Sequence, residues 1–256
     1  MFKADFNKNA QGAVNKASML SRDPLGYFVL AMLAGAFVGV GVLLSFTIGG
    51  MLDGQPYYKV VMGLSFGVAL SLVVMAGAEL FTGNNMVMTM GVLDNKVKLS
   101  ETIKLWVFCW IGNLVGSVIL ACLYHLTGLG VGAVGTFMAQ AAAAKMSAGI
   151  IPLISRGILC NFLVCLAVWS AGRATSDSGK LIMIFWCIFA FMTTGFEHSV
   201  ANMTLLTIAL LNPMDQAVSF GGYFYNLFFV TLGNMIGGIV FTALPYYIAS
   251  RKDDSV

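Results

Sequence analysis

The feature that most constrains this chain is a set of long apolar runs without charge. Residues 25–52 contain no Asp, Glu, Lys or Arg. About 20 consecutive apolar residues suffice to carry a helix across the hydrocarbon of a bilayer, roughly 30 Å thick. Similar runs cover residues 60–93 (broken by Glu79), 105–127, 150–171 (with one charge, Arg156), 181–211 (broken at Glu197-His198) and 221–249. Lipid offers no partner for backbone N–H and C=O groups, so each run must satisfy its own as helix. The reading is an all-α polytopic membrane protein with six transmembrane helices. Composition agrees: 59% of the 256 residues are hydrophobic and only 10% are charged, against about 25% charged in soluble domains. A net charge of +3 excludes a nucleic-acid surface.

The five cysteines, Cys109, Cys122, Cys160, Cys165 and Cys187, all lie in apolar runs without a CxxC pair. That pattern argues against a disulfide framework and against a metal site, and no cofactor is expected. Residues 1–24 have no apolar core of the kind a cleaved signal needs. Phe2, Phe6, Ala10, Ala13, Ala17 and Leu20 recur at helical spacing instead, so an amphipathic helix is expected on the membrane surface. The transmembrane domain then occupies 25–249 and a tail 250–256. Eleven of the fourteen Lys and Arg fall in the N-terminal arm, the 2–3 and 4–5 loops and the tail. Lys59, Lys145 and Arg156 fall on the other side. The positive-inside rule therefore predicts both termini in the cytoplasm, in a bacterial cytoplasmic membrane. Tyr27, Tyr57, Tyr58, Tyr223, Tyr246 and Tyr247, with Trp106, Trp169 and Trp186, fall at span ends and read as belt residues.

The chain also repeats itself. Gly112-Asn113-Leu114-Val115-Gly116 in span 3 returns as Gly233-Asn234-Met235-Ile236-Gly237 in span 6, and Glu79 in span 2 matches Glu197 in span 5. The offsets are 121 and 118 residues. Three helices used twice imply an inverted 3+3 repeat, because an odd number of crossings turns the second copy over. GNxxG is also a packing seam of small residues, which is compatible with the repeat. Residues 78–85 and 195–202 place a carboxylate, a glycine and hydroxyl or amide groups at membrane depth, where irregular backbone survives only beside protein or a cavity. Each is read as a broken helix, with Thr82 or Asn84 and Ser199 as candidate caps. N–H groups of the half-helices that follow would point at the break and favour an anion.

Recurrence in both halves gives Glu79 and Glu197 a structural reading at the helix breaks. His198 has no counterpart, since Leu80 follows Glu79. An ionisable side chain on one half only is a pore candidate. Its unperturbed pKa, about 6.5, lies near working pH, which suits protonating an anion or donating a hydrogen bond to it. Lys145 reads either as a solvated loop lysine or as a charge that draws anions into a vestibule. His125 reads as interfacial, and Arg156 as snorkelling or paired with a carboxylate. Phe66, Leu70, Phe81 and Phe191 read as core packing or as constrictions.

On residues 78–85 (AELFTGNN), 112–117 (GNLVGS), 157–169 (GILCNFLVCLAVW) and 195–203 (GFEHSVANM), the chain resembles the formate/nitrite transporter family, which includes hydrosulfide channels. The resemblance covers essentially the whole chain, and its wording leans to the hydrosulfide branch. It implies an aquaporin-like fold, a homopentamer and one pore per protomer for small monovalent anions: hydrosulfide, formate or nitrite. It also implies that Thr82, in the span 2 loop, hydrogen-bonds near His198. Phe66 and Phe191 would narrow the outer side, Leu70 and Phe81 the inner side, with Lys145 and Asn161 beside a central chamber. A neutral-solute channel of aquaporin type shares the helix count, but the chain has no Asn-Pro-Ala pair. An intramembrane hydrolase lacks its Gly-x-Ser-x-Gly turn.

Overall fold

The computed structural model describes residues 2–251. Of the expected tail, 250–256, the stretch 252–256 with Lys252 lies outside the described residues. Ten helices follow in order among the described residues: α1 (Lys3–Arg22), α2 (Pro24–Met51), α3 (Tyr58–Gly77), α4 (Phe81–Leu93), α5 (Leu99–Leu126), α6 (Gly132–Met146), α7 (Ile150–Arg173), α8 (Asp177–Thr194), α9 (Ser199–Leu211) and α10 (Phe220–Arg251). Six of these, α2, α3, α5, α7, α8 and α10, are long and apolar enough to cross a bilayer. Their ends use ordinary chemistry. Asp23, Ser176 and Ser219 accept from the N–H groups of Gly26, Gly179 and Gly222 at the starts of α2, α8 and α10, which satisfies otherwise orphaned donors.

The halves pack alike. In each, a GNxxG glycine pair lets two helices touch along their backbones. A side-chain carbon on Gly116 would collide with the Met32 carbonyl of α2, and one on Gly237 with the Ile158 carbonyl of α7. Both breaks open on a left-handed glycine, Gly77 at φ +83° and Gly195 at φ +80°, a conformation that costs other residues energy. Non-helical residues at 78–80 and 196–198 then lead into α4 and α9, with Ala78, Leu80 and His198 extended.

The structure revises several expectations. Residues 128–144, read only as an uncharged Gly/Ala-rich stretch, contain most of α6. Helix α6 precedes α7 as α1 precedes α2, so each half begins with a short helix. Helix α1 buries Phe6, Ala10, Ala13 and Leu20 and packs chiefly on α4, as an integral part of the bundle. The belt reading suits Tyr57, exposed at the start of α3, whereas Trp186, also exposed, lies midway along α8 rather than at a span end. Tyr27, Trp106, Trp169 and Tyr223 are buried instead. Tyr27 and Trp106 are drawn inward by hydrogen bonds to Glu79 and to the Asn84 carbonyl, and Trp169 stacks on Tyr246.

Candidate transport pore

Three cavities lie in line along α2 and α3. The first, about 210 Å³, is lined by Val42 and Phe46 of α2, Tyr58 to Phe66 of α3, Lys145 of α6, and Phe191, Glu197 and His198. The second, about 10 Å³, is lined by Val38, Phe66, Ala69, Leu70, Leu80, Val164, Ile188, Phe191 and His198. That volume is at the lower limit for one water. The third, about 520 Å³, is lined by Leu30, Leu70 to Gly77, Glu79, Leu80, Asn84 and Lys16 of α1. From Phe46 to Leu30 along α2, at 1.5 Å per residue, the line runs roughly 24 Å.

Phe66 and Phe191 separate the first cavity from the central one. Their rings meet edge to face at 5.7 Å between centroids, and Phe191 also stacks on His198 at 6.0 Å. Leu70 and Leu80 separate the central cavity from the third. The expected pair on this side was Leu70 and Phe81. Phe81 instead faces an apolar groove between α5 and α10. The cause is local: Leu80 is the last extended residue (φ −99°, ψ 123°) and Phe81 opens the helix, so the two side chains diverge. Leu80 occupies the position in the first half that His198 occupies in the second.

His198 is the N-cap of α9. Its Nδ1 accepts the Ala201 N–H at 3.1 Å, and its Nε2 lies 3.0 Å from Thr82 Oγ1. A neutral ring that accepts at Nδ1 carries its proton on Nε2, so Nε2–H donates to Thr82. The expected caps Thr82, Asn84 and Ser199 are inside helices α4 and α9 rather than capping them, and Thr82 is the second residue of α4, not in a loop. Asn161 sits behind the chamber wall. Its amide donates to the Thr82 carbonyl at 3.2 Å and the Asn234 carbonyl at 2.6 Å, which fixes α4 against α7 and α10.

The two breaks are held identically. Glu79 N–H donates to the Leu30 carbonyl and Glu197 N–H to the Arg156 carbonyl. Asn113 Oδ1 accepts from Phe81 N–H and Asn234 Oδ1 from Ser199 N–H, both at 2.9 Å. The carboxylates themselves take side-chain partners. Glu79 accepts from Lys16 at 2.6 Å, Asn84 at 2.9 Å and Tyr27 at 3.1 Å. Glu197 accepts from Lys145 at 2.8 Å and Asn202 at 2.6 Å. Lys145 is thus a lysine in the last turn of α6, ion-paired over the cavity mouth, and Lys16 on α1 takes the same place at the other end. Sequence reading singled out neither Lys16 nor Leu80. The repeat had already set Leu80 against His198, and the step not taken was to give Leu80 the pore-lining place that His198 was given. Arg156 is exposed and lends only its carbonyl.

Six crossing helices, two matched breaks and aligned cavities define an integral membrane protein built from two structural repeats around a narrow pore. The family described as formate/nitrite transporter matches residues 3–248, and the chain belongs to it. It is 42% identical to the nitrite transporter NirC of Salmonella typhimurium (strain LT2), over 99% of this chain and 94% of that one. It is 38% identical to a probable formate transporter of Methanothermobacter thermautotrophicus, over 93% of each. Among solved structures, it is similar to an FNT family ion channel (TM-score 0.92, 41% identity, 96% of this chain and 98% of that one). It is also similar to a pentameric formate channel with formate bound (TM-score 0.78, 29% identity, 89% and 97%).

Proposed function

We propose that the chain conducts small monovalent anions of the nitrite, formate and hydrosulfide class, one pore per protomer in a homopentamer. The observation that carries this is the pairing of each pore mouth with a fixed lysine–glutamate pair, Lys145–Glu197 and Lys16–Glu79, outside an apolar constriction. In each pair the lysine is the more exposed partner, so an anion at the mouth meets the ammonium before the carboxylate. A bare charge cannot cross an apolar slit cheaply, since moving it into low dielectric costs many kcal/mol unless compensated. Conjugate bases of small acids escape that cost by accepting a hydrogen bond or a proton between the constrictions. His198 lines that space, and its Nε2–H, which rests on the Thr82 hydroxyl, is the donor that turns to the anion, with Thr82 holding the ring in place. Because Nδ1 of His198 is held by the Ala201 N–H, we assign His198 the hydrogen-bonding part rather than that of a proton carrier. Relatives whose names specify nitrite and formate support the substrate class.

Proteoliposome flux of nitrite, formate, hydrosulfide and water, measured in parallel, tests the proposal. Water flux without anion flux would overturn it in favour of a neutral-solute channel. The split of Lys and Arg between the two sides supports a cytoplasmic α1 mouth. Cysteines at Asp53 and Asp215 are then labelled from outside and those at Asp94 and Asp177 are not. Native mass spectrometry reads the five-fold assembly.

A further inference from the structure

Beside the pore line, at the α1 end of the bundle, helices α1, α3, α7 and α8 enclose a pocket of about 620 Å³. It backs onto the α1-side cavity, with which it shares only Val74 and Val168. Its chemistry is mixed in a definite way. One wall is apolar: Val74, Val168, Ala171 and Met75, the last 45% exposed on the face of a membrane-crossing helix. The rim carries Lys8 and Asn9 from α1 and Lys180 and Asp177 from α8. Lys8 Nζ donates to the Gly172 carbonyl at 2.7 Å, which fixes its ammonium over the end of α7 and leaves it further donors. Lys180 Nζ reaches Asp177 at 2.9 Å. Two lysines thus face one carboxylate at the place where an apolar helix face meets the aqueous end of the bundle.

We propose that this pocket seats the phosphate of an anionic phospholipid, held by Lys8 and Lys180, with its acyl chains running down the Met75 face of α3. Basic pockets between membrane helices suit such headgroups. A soluble anion has no use for the apolar wall, which is why a lipid is the occupant. The consequence concerns the pore. Helix α1 also carries Lys16, eight residues beyond Lys8, or about 12 Å along the helix, where it pairs with Glu79. A lipid that bridges α1 to α8 fastens the helix that supplies the mouth's lysine.

The test is native mass spectrometry of the delipidated protein, titrated with phosphatidylglycerol and with phosphatidylcholine of the same chains. Phosphatidylglycerol should be preferred about tenfold, and Lys8→Gln/Lys180→Gln should bring the two to near parity. Lys98→Gln/Lys104→Gln, an equal charge change at the same end but outside the pocket, should keep the preference. Asp177→Asn leaves the Ser176 cap in place and should strengthen the preference several-fold, a gain that no folding defect imitates. Equal binding of the two lipids by the parent, or an unaltered preference in both the lysine and the Asp177 variants, overturns the proposal. Complete displacement of phosphatidylglycerol by millimolar inorganic phosphate also overturns it, making the pocket a soluble-anion antechamber of the pore.

Discussion

Asn113 and Asn234, 121 residues apart, perform the same three-bond task at the two breaks. Each accepts the first N–H of the helix beyond its break, at Phe81 and Ser199. Each amide donates to a carbonyl before that helix, Glu79 and Glu197 at 2.9 Å. Each also donates to the long helix alongside, at Ala31 (2.7 Å) and Gly157 (2.9 Å). Both asparagines are fully buried. In lipid the broken backbone has no other source of partners, so the conformation of both mouths hangs on two side chains.

Asn113→Ala and Asn234→Ala should therefore destabilise the fold by similar amounts, on the order of 3 kcal/mol each, because buried donors and acceptors are left unmade. Asn→Asp keeps the acceptor but sets an oxygen against two carbonyls in a fully buried place, and should cost at least as much as alanine. Thermal unfolding in detergent measures the series. A large loss at one site and none at the other would show that the repeat is not load-sharing.

Lys145→Ala leaves the Glu197 carboxylate, whose side chain is 3% exposed, without its ion partner. Breaking a buried pair from one side costs about 3–5 kcal/mol, whereas removing both charges is often nearly neutral. Lys145→Ala/Glu197→Gln should therefore recover most of the thermal stability that Lys145→Ala loses. Flux should behave differently. Without the lysine, anion uptake falls at low substrate and much less at saturation, and it falls furthest in the single variant, where the unpaired Glu197 carboxylate repels the anion. Flux equal to the parent at every concentration would reduce Lys145 to a structural partner of Glu197.

The constriction on the α1 side supplies a direct test of placement. Leu80→Ala should widen the slit between Leu70 and Leu80 and raise leak of larger monovalent anions. Phe81→Ala should leave selectivity unchanged while costing about 3–5 kcal/mol of packing. Reversed outcomes would put Phe81 in the pore.

That pair also shows where sequence reading stops. The crossings were legible because lipid demands uncharged runs of fixed length, and the repeat because Glu79, Glu197 and the two GNxxG motifs share an offset. The separation of Leu80 from Phe81 turns on where extended backbone becomes helix, a boundary of one residue that hydropathy does not mark. Helix α6 went unread because a run of Ala and Gly has no apolar face to give a period. Lys16 was counted as surface charge because its partner Glu79 lies 63 residues away in a different element. Tyr27 looked like a belt tyrosine for the same reason. His198 was legible as a site by its asymmetry, but its capping bond to Ala201 was not, and that bond bears most on its chemistry.

The last prediction concerns that bond. A proton carrier must bind and release a proton at a ring nitrogen open to the pathway. In His198, Nδ1 is occupied by the Ala201 N–H, at the N-terminus of α9, where the helix dipole opposes positive charge. The remaining nitrogen, Nε2, points its hydrogen at Thr82. Asparagine at 198 retains an oxygen that caps α9 and an amide donor, though a shorter one, and cannot titrate. If His198 acts as a donor, His198→Asn should lower flux about tenfold, the value of one weakened hydrogen bond of roughly 1.4 kcal/mol, and keep the shape of the pH profile between about pH 5 and 8. Thr82→Val, which removes the hydroxyl while keeping the shape, should give a similar drop, and the two changes together should cost less than their sum, because both break one chain of hydrogen bonds. A parental flux that depends on pH and a His198→Asn flux that does not would return the proton-carrying role to His198. Strictly additive losses would sever Thr82 from it.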